Sequence, residues 1–565
     1  MATRNLALCL IAAVTLCAAA KAQKPAAGGY RIAGTIVSQI DAHPLARGRV
    51  TVRSVKNPGQ FLTMVTAEDG KFEFTGVPAG KYSLNGAKRG YVSAAYDQHD
   101  QFSTAIVTGA GLDTETLTLR LAPDAMITGK VLDEAGDPVR HAMVSVYYDD
   151  HSNGVDQIHM HNGAQTDDQG TYEIARLRPG TYFLSASAKP WYAVHPASEA
   201  PGNRRSRANG APSSADPSFV DPSLDVAYAT TYYADATDPE SATPIPIRGG
   251  ERIEVDLHLN PVPALHLLFR VAGSGNNGYV FPQLQQPAFD GDSFVQTNGS
   301  RMVSPGLFEV SGIPAGRYNI RLSGPGTATQ MNGVDLTKDG EQIDTSASEP
   351  MASVKLSAQI PGDSTPLSQL RIGLRSGHRT LANWKQLDDK GEAQIDQLPA
   401  GKYEVQIWGP PKPYSVARMS AEGATISGHT ITVLPGSSPS LSLTLVGGST
   451  EVEGVAKRAG QPLAGAMVVL VPTNDANGGP KYDPKNLELD QALFRRDQSD
   501  LDGTFVLHNV VPGAYTILAI ENGWDLDWSQ PNVISAYLSH GRKLAVSAQS
   551  PRTMTVPASV EVISK

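Results

Sequence analysis

The sequence predicts an all-β fold, a tandem array of about five β-sandwich domains, and three observations predict it. The 565-residue chain is far too long for one sandwich-sized core. Its apolar residues alternate in short runs bounded by Gly, Pro and Asp. One pattern, DGKFEFTGVPAGKYSL at 69–84, returns as DQGTYEIARLRPGTYFL (168–184), PGLFEVSGIPAGRYNI (305–320), DKGEAQIDQLPAGKYEV (389–405) and DGTFVLHNVVPGAYTIL (502–518). An active site is built once, whereas a structural element recurs with its domain, so the pattern reads as a fold signature.

Within the first copy, Asp69-Gly70 signals a two-residue hairpin turn, because glycine accepts a positive φ. Phe72 and Phe74, two apart, face one side of a strand. Pro78 and Gly80 break that strand, and Tyr82 opens the next one. A tyrosine just after such a bend predicts a tyrosine corner, its hydroxyl bonded to upstream backbone, at Tyr82, Tyr182, Tyr318, Tyr403 and Tyr515.

Ahead of three copies lies a strand–turn–strand pattern, IAGTIVSQIDAHPLARGRVTV (32–52), ITGKVLDEAGDPVRHAMVSV (127–146) and VEGVAKRAGQPLAGAMVVLV (452–471). The same three place an aromatic nine residues after the tyrosine, at Tyr91, Trp191 and Trp524, which suggests packing within each module. Copies three and four lack both features, and copy four replaces the aromatic pair with Glu392-Ala393-Gln394-Ile395, so they read as degenerate sandwiches. Runs such as TETLTLRLAP (114–123), RIEVDLHLNP (252–261) and PSLSLTLVGG (439–448) close the units. The expected division is a signal peptide at 1–22, then sandwiches at 23–123, 124–262, 263–350, 351–448 and 449–565. A disordered insertion is expected at 195–223, where Pro, Ser and charge cannot build a core. One amphipathic helix is expected, NLELDQALFRRD at 486–497. The array as a whole is expected to be rod-like.

These residues resemble the carboxypeptidase regulatory-like domain, in the order G-x-V, G-x-P-[LV], A-x-V-x-[LV], then D-G-x-F-x-[FL]-x-x-[VL]-x-P-G-x-Y. The likeness is good over 34–84, 129–184 and 454–518, and confined to the Pro/Gly/Tyr turn in units three and four. It implies Ig-like, transthyretin-like seven-stranded sandwiches serving as spacers, adhesion or assembly elements, or carbohydrate-facing modules. It implies no peptidase, because the catalytic unit is absent. Residues 230–259 further resemble large multi-repeat exported proteins of soil bacteria.

The first residues show Arg4, an apolar run from Leu6 to Leu16 and a small-residue end at Ala20-Lys21-Ala22, the pattern of a secretory signal peptide. Leu16 before Cys17 argues against a lipoprotein site. Cleavage after Ala22 removes both cysteines, so no disulfide, thiolate nucleophile or cysteine-bound metal is expected. It also takes the basic count from 47 to 45 against 56 acidic residues, a net charge of about −11 that disfavours nucleic acid. No later run is long enough to span a bilayer. The expected location is periplasmic, cell-surface or extracellular.

No HExxH, nucleophile elbow or phosphate loop is present, so no catalytic residue, cofactor or metal centre is assigned. His159 and His161, with Asp149, Asp150 and His151 nearby, are the sharpest metal candidates, yet read as a solvated loop insertion. Asp167-Asp168 and Asp500-Leu501-Asp502 read as turns. The ligand candidates are aromatic: Trp191, Tyr192, Tyr232 and Tyr233, with Tyr482 and Phe494 from a long loop in the fifth unit. Tyr228, Trp524 and Trp528 belong to the same aromatic groups. The function read from these features is a non-catalytic binding, spacer or assembly protein of the bacterial envelope, partnered by an envelope protein or polysaccharide. The alternatives are a carbohydrate-binding protein using exposed aromatics and a cryptic hydrolase.

Overall fold

A computed structural model describes residues 29–196, 221–270, 281–297, 300–324, 327–362, 365–376, 384–409, 414–427, 430–447, 450–473, 494–510, 512–547 and 550–565. The expected signal peptide, most of the 195–223 insertion, Tyr482 and residues 486–493 lie outside the described residues.

Five apolar cores form, each drawn almost entirely from one stretch of chain: 32–121, 125–259, 265–343, 352–445 and 452–562. The plan repeats. In module one the motif strand Lys71–Val77 pairs antiparallel with the opening strand Tyr30–Ser38, whose other edge takes the closing strand Leu117–Leu121 in parallel. A second sheet, centred on Arg49–Ser54 and Gly80–Ala87, covers the first. Modules two to five keep the parallel pairing of opening and closing strands and the antiparallel motif strand. Modules three and four are therefore complete two-sheet sandwiches, with sheets of four and five strands each. In module four, Ala393 and Ile395 take the inward positions held elsewhere by Phe72 and Phe74.

The motif's chemistry explains its recurrence. Each motif strand carries a bulge against the opening strand. The residue six before the tyrosine adopts a left-handed backbone in every copy: Gly76, Arg176, Gly312, Gln397 and Asn509, with φ of 72°, 61°, 76°, 58° and 57°. After it the chain bends, and the tyrosine ring enters the core. Tyr82, Tyr182, Tyr318 and Tyr403 donate their hydroxyls to the carbonyls of Pro78, Arg178, Pro314 and Pro399 at 3.0, 2.9, 2.5 and 2.7 Å. The glycine of G-x-V has a packing cause: a Cβ on Gly129 would lie 1.8 Å from the Val255 carbonyl oxygen of the closing strand. Tyr172, opposite Gly129, donates its hydroxyl to that same oxygen at 2.7 Å.

Three expectations are corrected. The Asp-Gly turn forms a two-residue hairpin in its module-three counterpart, where Ser304 pairs with Leu307, whereas in modules one, two and four it carries the chain from one sheet to the other. Residues 495–497 are strand rather than helix, because Arg495–Gln498 pairs with Met467–Pro472. Short helices occur instead at Gly523–Asp525, Pro531–Ile534 and Leu538–His540, covering a second apolar layer on module five.

The array is also not a rod. Module five folds back onto modules one and two, because its strand 495–498 and the segment after Glu521 present charged and aromatic groups outward. Lys81 bonds Asp500 at 2.6 Å, and the Ala105 amide donates to Asp500 at 3.0 Å. Trp524 stacks on His99 at 5.1 Å, and Leu501 packs against the core of module one. From module two, His151 reaches the Leu526 carbonyl at 2.9 Å. At the centre, Arg496 lies over the rings of Phe102, Trp524 and Trp528 at 4.9, 5.6 and 4.5 Å, pairs with Asp100 at 3.3 Å and donates to the Ser152 carbonyl.

Candidate functional site

The predicted ligand aromatics separate into three fates. Tyr232 is buried against Tyr147 and Phe289, where the left-handed tip Phe289-Asp290 of module three inserts into module two. Tyr233 is half-buried on the core of module two. Phe494 is 4% exposed and packs edge-on to Trp528, so it serves its own module rather than a ligand. These three are corrected as surface candidates: Tyr232 fills a junction where two modules meet, whereas Tyr233 and Phe494 pack on their own modules.

Trp191 and Tyr192 remain. The Tyr91, Trp191 and Trp524 offset does not mean one thing: Tyr91 packs on its own core, Trp524 reaches module one, and Trp191 is 88% exposed. Its ring meets Tyr192 edge-on at 5.8 Å. Glu134, on the turn ahead of Pro138, accepts the Tyr192 hydroxyl, and its other oxygen accepts the Tyr228 hydroxyl at 3.1 Å. Desolvation first, then the Glu134 carboxylate, push the Tyr192 hydroxyl up to about 12, so it stays protonated and donating. The pair is thus an exposed ring beside an anchored, oriented phenol, a surface that offers stacking and hydrogen bonding without a nucleophile or base.

The histidine candidates do not assemble. A bulge places His161 out of alternation, since Val146 faces Asn162 while Tyr147 faces Met160. His161 lies against Tyr148 and Tyr182, and desolvation lowers its pKa; His159 is exposed. His151 instead bonds Asp156 and the fifth module. Asp167 caps its own turn, and Asp500 serves the module contact.

A grouping that the sequence reading missed lies where module two meets module three. The two-stranded pairing of Val226–Tyr228 with Pro261–Pro263 brings Asp225 beside the opening strand of module three. Val194 donates its amide to Leu224, closing the neck of the 195–223 insertion and placing His195 there too. His195 Nδ1 lies 2.7 Å from Asp225 Oδ1, and His266 Nε2 lies 3.5 Å from Asp225 Oδ2. One ligand atom from each of the three lies within 4.8 Å of the others. The only signal in sequence would have been His195 at the edge of a polar insertion.

Residues 31–122 and 126–200 match the model of the carboxypeptidase regulatory-like domain. Those two segments are similar to that domain. The matched segments coincide with modules one and two, where the glycine, bulge and tyrosine corner described above occur, and the same strand plan continues in modules three to five. No curated protein matches the chain. Among solved structures it is similar to the TIE protein of Bacillus anthracis, at 11% identity over 75% of each chain with a TM-score of 0.17. It is also similar to the minor pilin GBS52 of Streptococcus agalactiae, at 13% identity over 42% of this chain and 97% of that one, TM-score 0.21. Two B repeat units of the collagen binding protein of Staphylococcus aureus give 12% identity over 74% and 99%, TM-score 0.12. No helix among the described residues is long and apolar enough to cross a membrane.

Proposed function

We propose that the protein is an exported, non-catalytic binding and assembly protein of the bacterial envelope, whose regulatory-like domains present the Trp191–Tyr192 surface to an envelope polysaccharide or protein. The observation that carries this reading is Trp191: a large ring left 88% exposed beside a phenol anchored by Glu134. A polysaccharide suits it best, because sugar rings stack on exposed aromatics while hydroxyls meet an oriented polar tip. The polar groups His151, Asp167 and Asp500 are taken up by turns and module contacts, which fits a non-enzymatic role. Export rests on the pattern of residues 1–22 and on the absence of cysteine after residue 17.

The test is binding of the mature chain to purified envelope polysaccharides and proteins, with Trp191→Ala as the comparison. Truncating a central aromatic anchor lowers affinity roughly 30-fold, and the exposed side chain leaves the melting temperature unchanged. Equal affinity in the variant removes this surface from recognition, and turnover of any polysaccharide or peptide refutes the non-catalytic assignment. N-terminal mass spectrometry of the exported protein checks cleavage near Ala22; an intact Met1 or a lipid on Cys17 overturns it.

A further inference from the structure

We infer that His195, Asp225 and His266 bind one divalent transition-metal ion of the zinc class, joining the second module to the third. The argument starts at His266, whose side chain is 7% exposed. Its Nδ1 faces Asp339 Oδ1 at 3.1 Å, and its backbone amide donates to the same oxygen at 2.7 Å. Gly340 returns an amide to the His266 carbonyl at 3.0 Å, fixing both strands. A carboxylate accepts, so His266 Nδ1 carries a proton, and in the neutral ring Nε2 turns its lone pair inward. That nitrogen is buried without a hydrogen-bond partner, and it points at another acceptor, Asp225 Oδ2.

Two lone pairs facing each other in a buried place repel unless a cation stands between them. A carboxylate–imidazole–metal chain is the arrangement in which a histidine ligand is oriented by its outer partner, and Asp339–His266 supplies it. His195, 8% exposed, and Asp225, 17% exposed, complete a set of two imidazoles and one carboxylate. Two ligands on one tetrahedral zinc lie roughly 3.4 Å apart for bonds near 2.1 Å. The 3.5 Å gap already matches, and the 2.7 Å contact of His195 with Asp225 opens slightly on binding. A water takes the fourth position. Calcium and magnesium are disfavoured, since they need more oxygen ligands than one buried carboxylate provides. The ligands come from two modules, so the ion stiffens that junction.

The experiment uses the mature full-length chain, stripped with a chelator and titrated calorimetrically with zinc, and in parallel with cobalt followed by visible absorption. We expect one ion per chain, with zinc displacing cobalt. Asp339→Asn, which keeps the ligands but weakens their orientation, lowers zinc affinity about 10- to 100-fold, and His266→Ala abolishes uptake. The doubly substituted His159→Ala, His161→Ala chain binds as the parent does. Asp225→Asn, nearly isosteric, serves where His266→Ala fails to fold, and it too loses the ion. No saturable uptake by the parent chain overturns the inference, leaving an imidazolium–carboxylate pair. Uptake that survives both His266→Ala and Asp225→Asn, or that is lost with His159 and His161, overturns it as well.

Discussion

Replacing Arg496 by Met tests whether the fold-back is held by the contacts described. The side chain is 5% exposed and touches modules one, two and five at once. Methionine keeps the apolar stem over Phe102 and Trp528 and removes the charge. Lost with it are the charge-assisted bonds to Asp100 and the Ser152 carbonyl, about 1.5–3 kcal/mol, and cation–π attraction of about 0.5–2 kcal/mol. Against this stands the relief of burying a guanidinium, which desolvation already disfavours in its charged form. The net loss expected is about 2–3 kcal/mol. Hydrogen exchange reads it directly, because the Ala105 amide donates to Asp500 and the Leu501 amide to the Ala105 carbonyl across the contact. A loss of that size speeds their exchange roughly 30- to 160-fold where opening is in rapid equilibrium. The Leu507 amide, inside module five, keeps its rate. Unchanged exchange at Ala105 and Leu501 refutes the role of Arg496, and an equal increase at Leu507 shows that module five itself was weakened.

Three further outcomes are expected. Tyr182→Phe and Tyr318→Phe each destabilise their module by about 0.5–1.5 kcal/mol in denaturant unfolding, whereas Tyr82→Phe, more open to water, costs less; equal midpoints in all three remove the corner bond as a stabiliser. Gly129→Ala costs roughly 3 kcal/mol, since overpacking here is against backbone, while Arg176→Gly gains about 0.5–1 kcal/mol by releasing a left-handed non-glycine; melting the full chain separates the two signs. Asp497, whose pKa burial raises to about 6, binds a proton in the folded state before the unfolded carboxylate does. Its contribution to stability is therefore lost as pH rises from about 4 to 6, and Asp497→Asn gains about 3 kcal/mol at pH 8 and nothing at pH 4, measured by urea midpoints. A pH-independent difference refutes the raised pKa.

What could be read from the chain was what is local. The tyrosine corner needs only Pro78 to Tyr82, four residues apart, and every copy writes it. The left-handed position was harder to see, because Arg176, Gln397 and Asn509 occupy it where glycine would have announced it. Contacts between modules left no sequence period at all. Trp524 and Trp191 share an offset, yet one is covered by His99 and the other by nothing described, since only module one has a partner poised to fold over it. Tyr232 looked like a loop aromatic for the same reason, and Phe494 because its second apolar layer leaves no local pattern. His195, Asp225 and His266 lie 30 and 41 residues apart, at spacings that no single module sets.

The contact between modules one and five also fixes how the molecule would answer tension. A pull between Tyr30 and Lys565 passes through module one, across Lys81–Asp500 and Arg496, and into module five. In module one the Tyr30–Ser38 strand lies parallel to Leu117–Leu121, so its ladder is loaded in shear, with all bonds sharing the force. The few side chains of the inter-module contact share nothing comparable and give way first. The chain would then lengthen by folded modules before any sandwich opens, the fold-back yielding as Arg496, Lys81–Asp500 and the Trp524 stack part together.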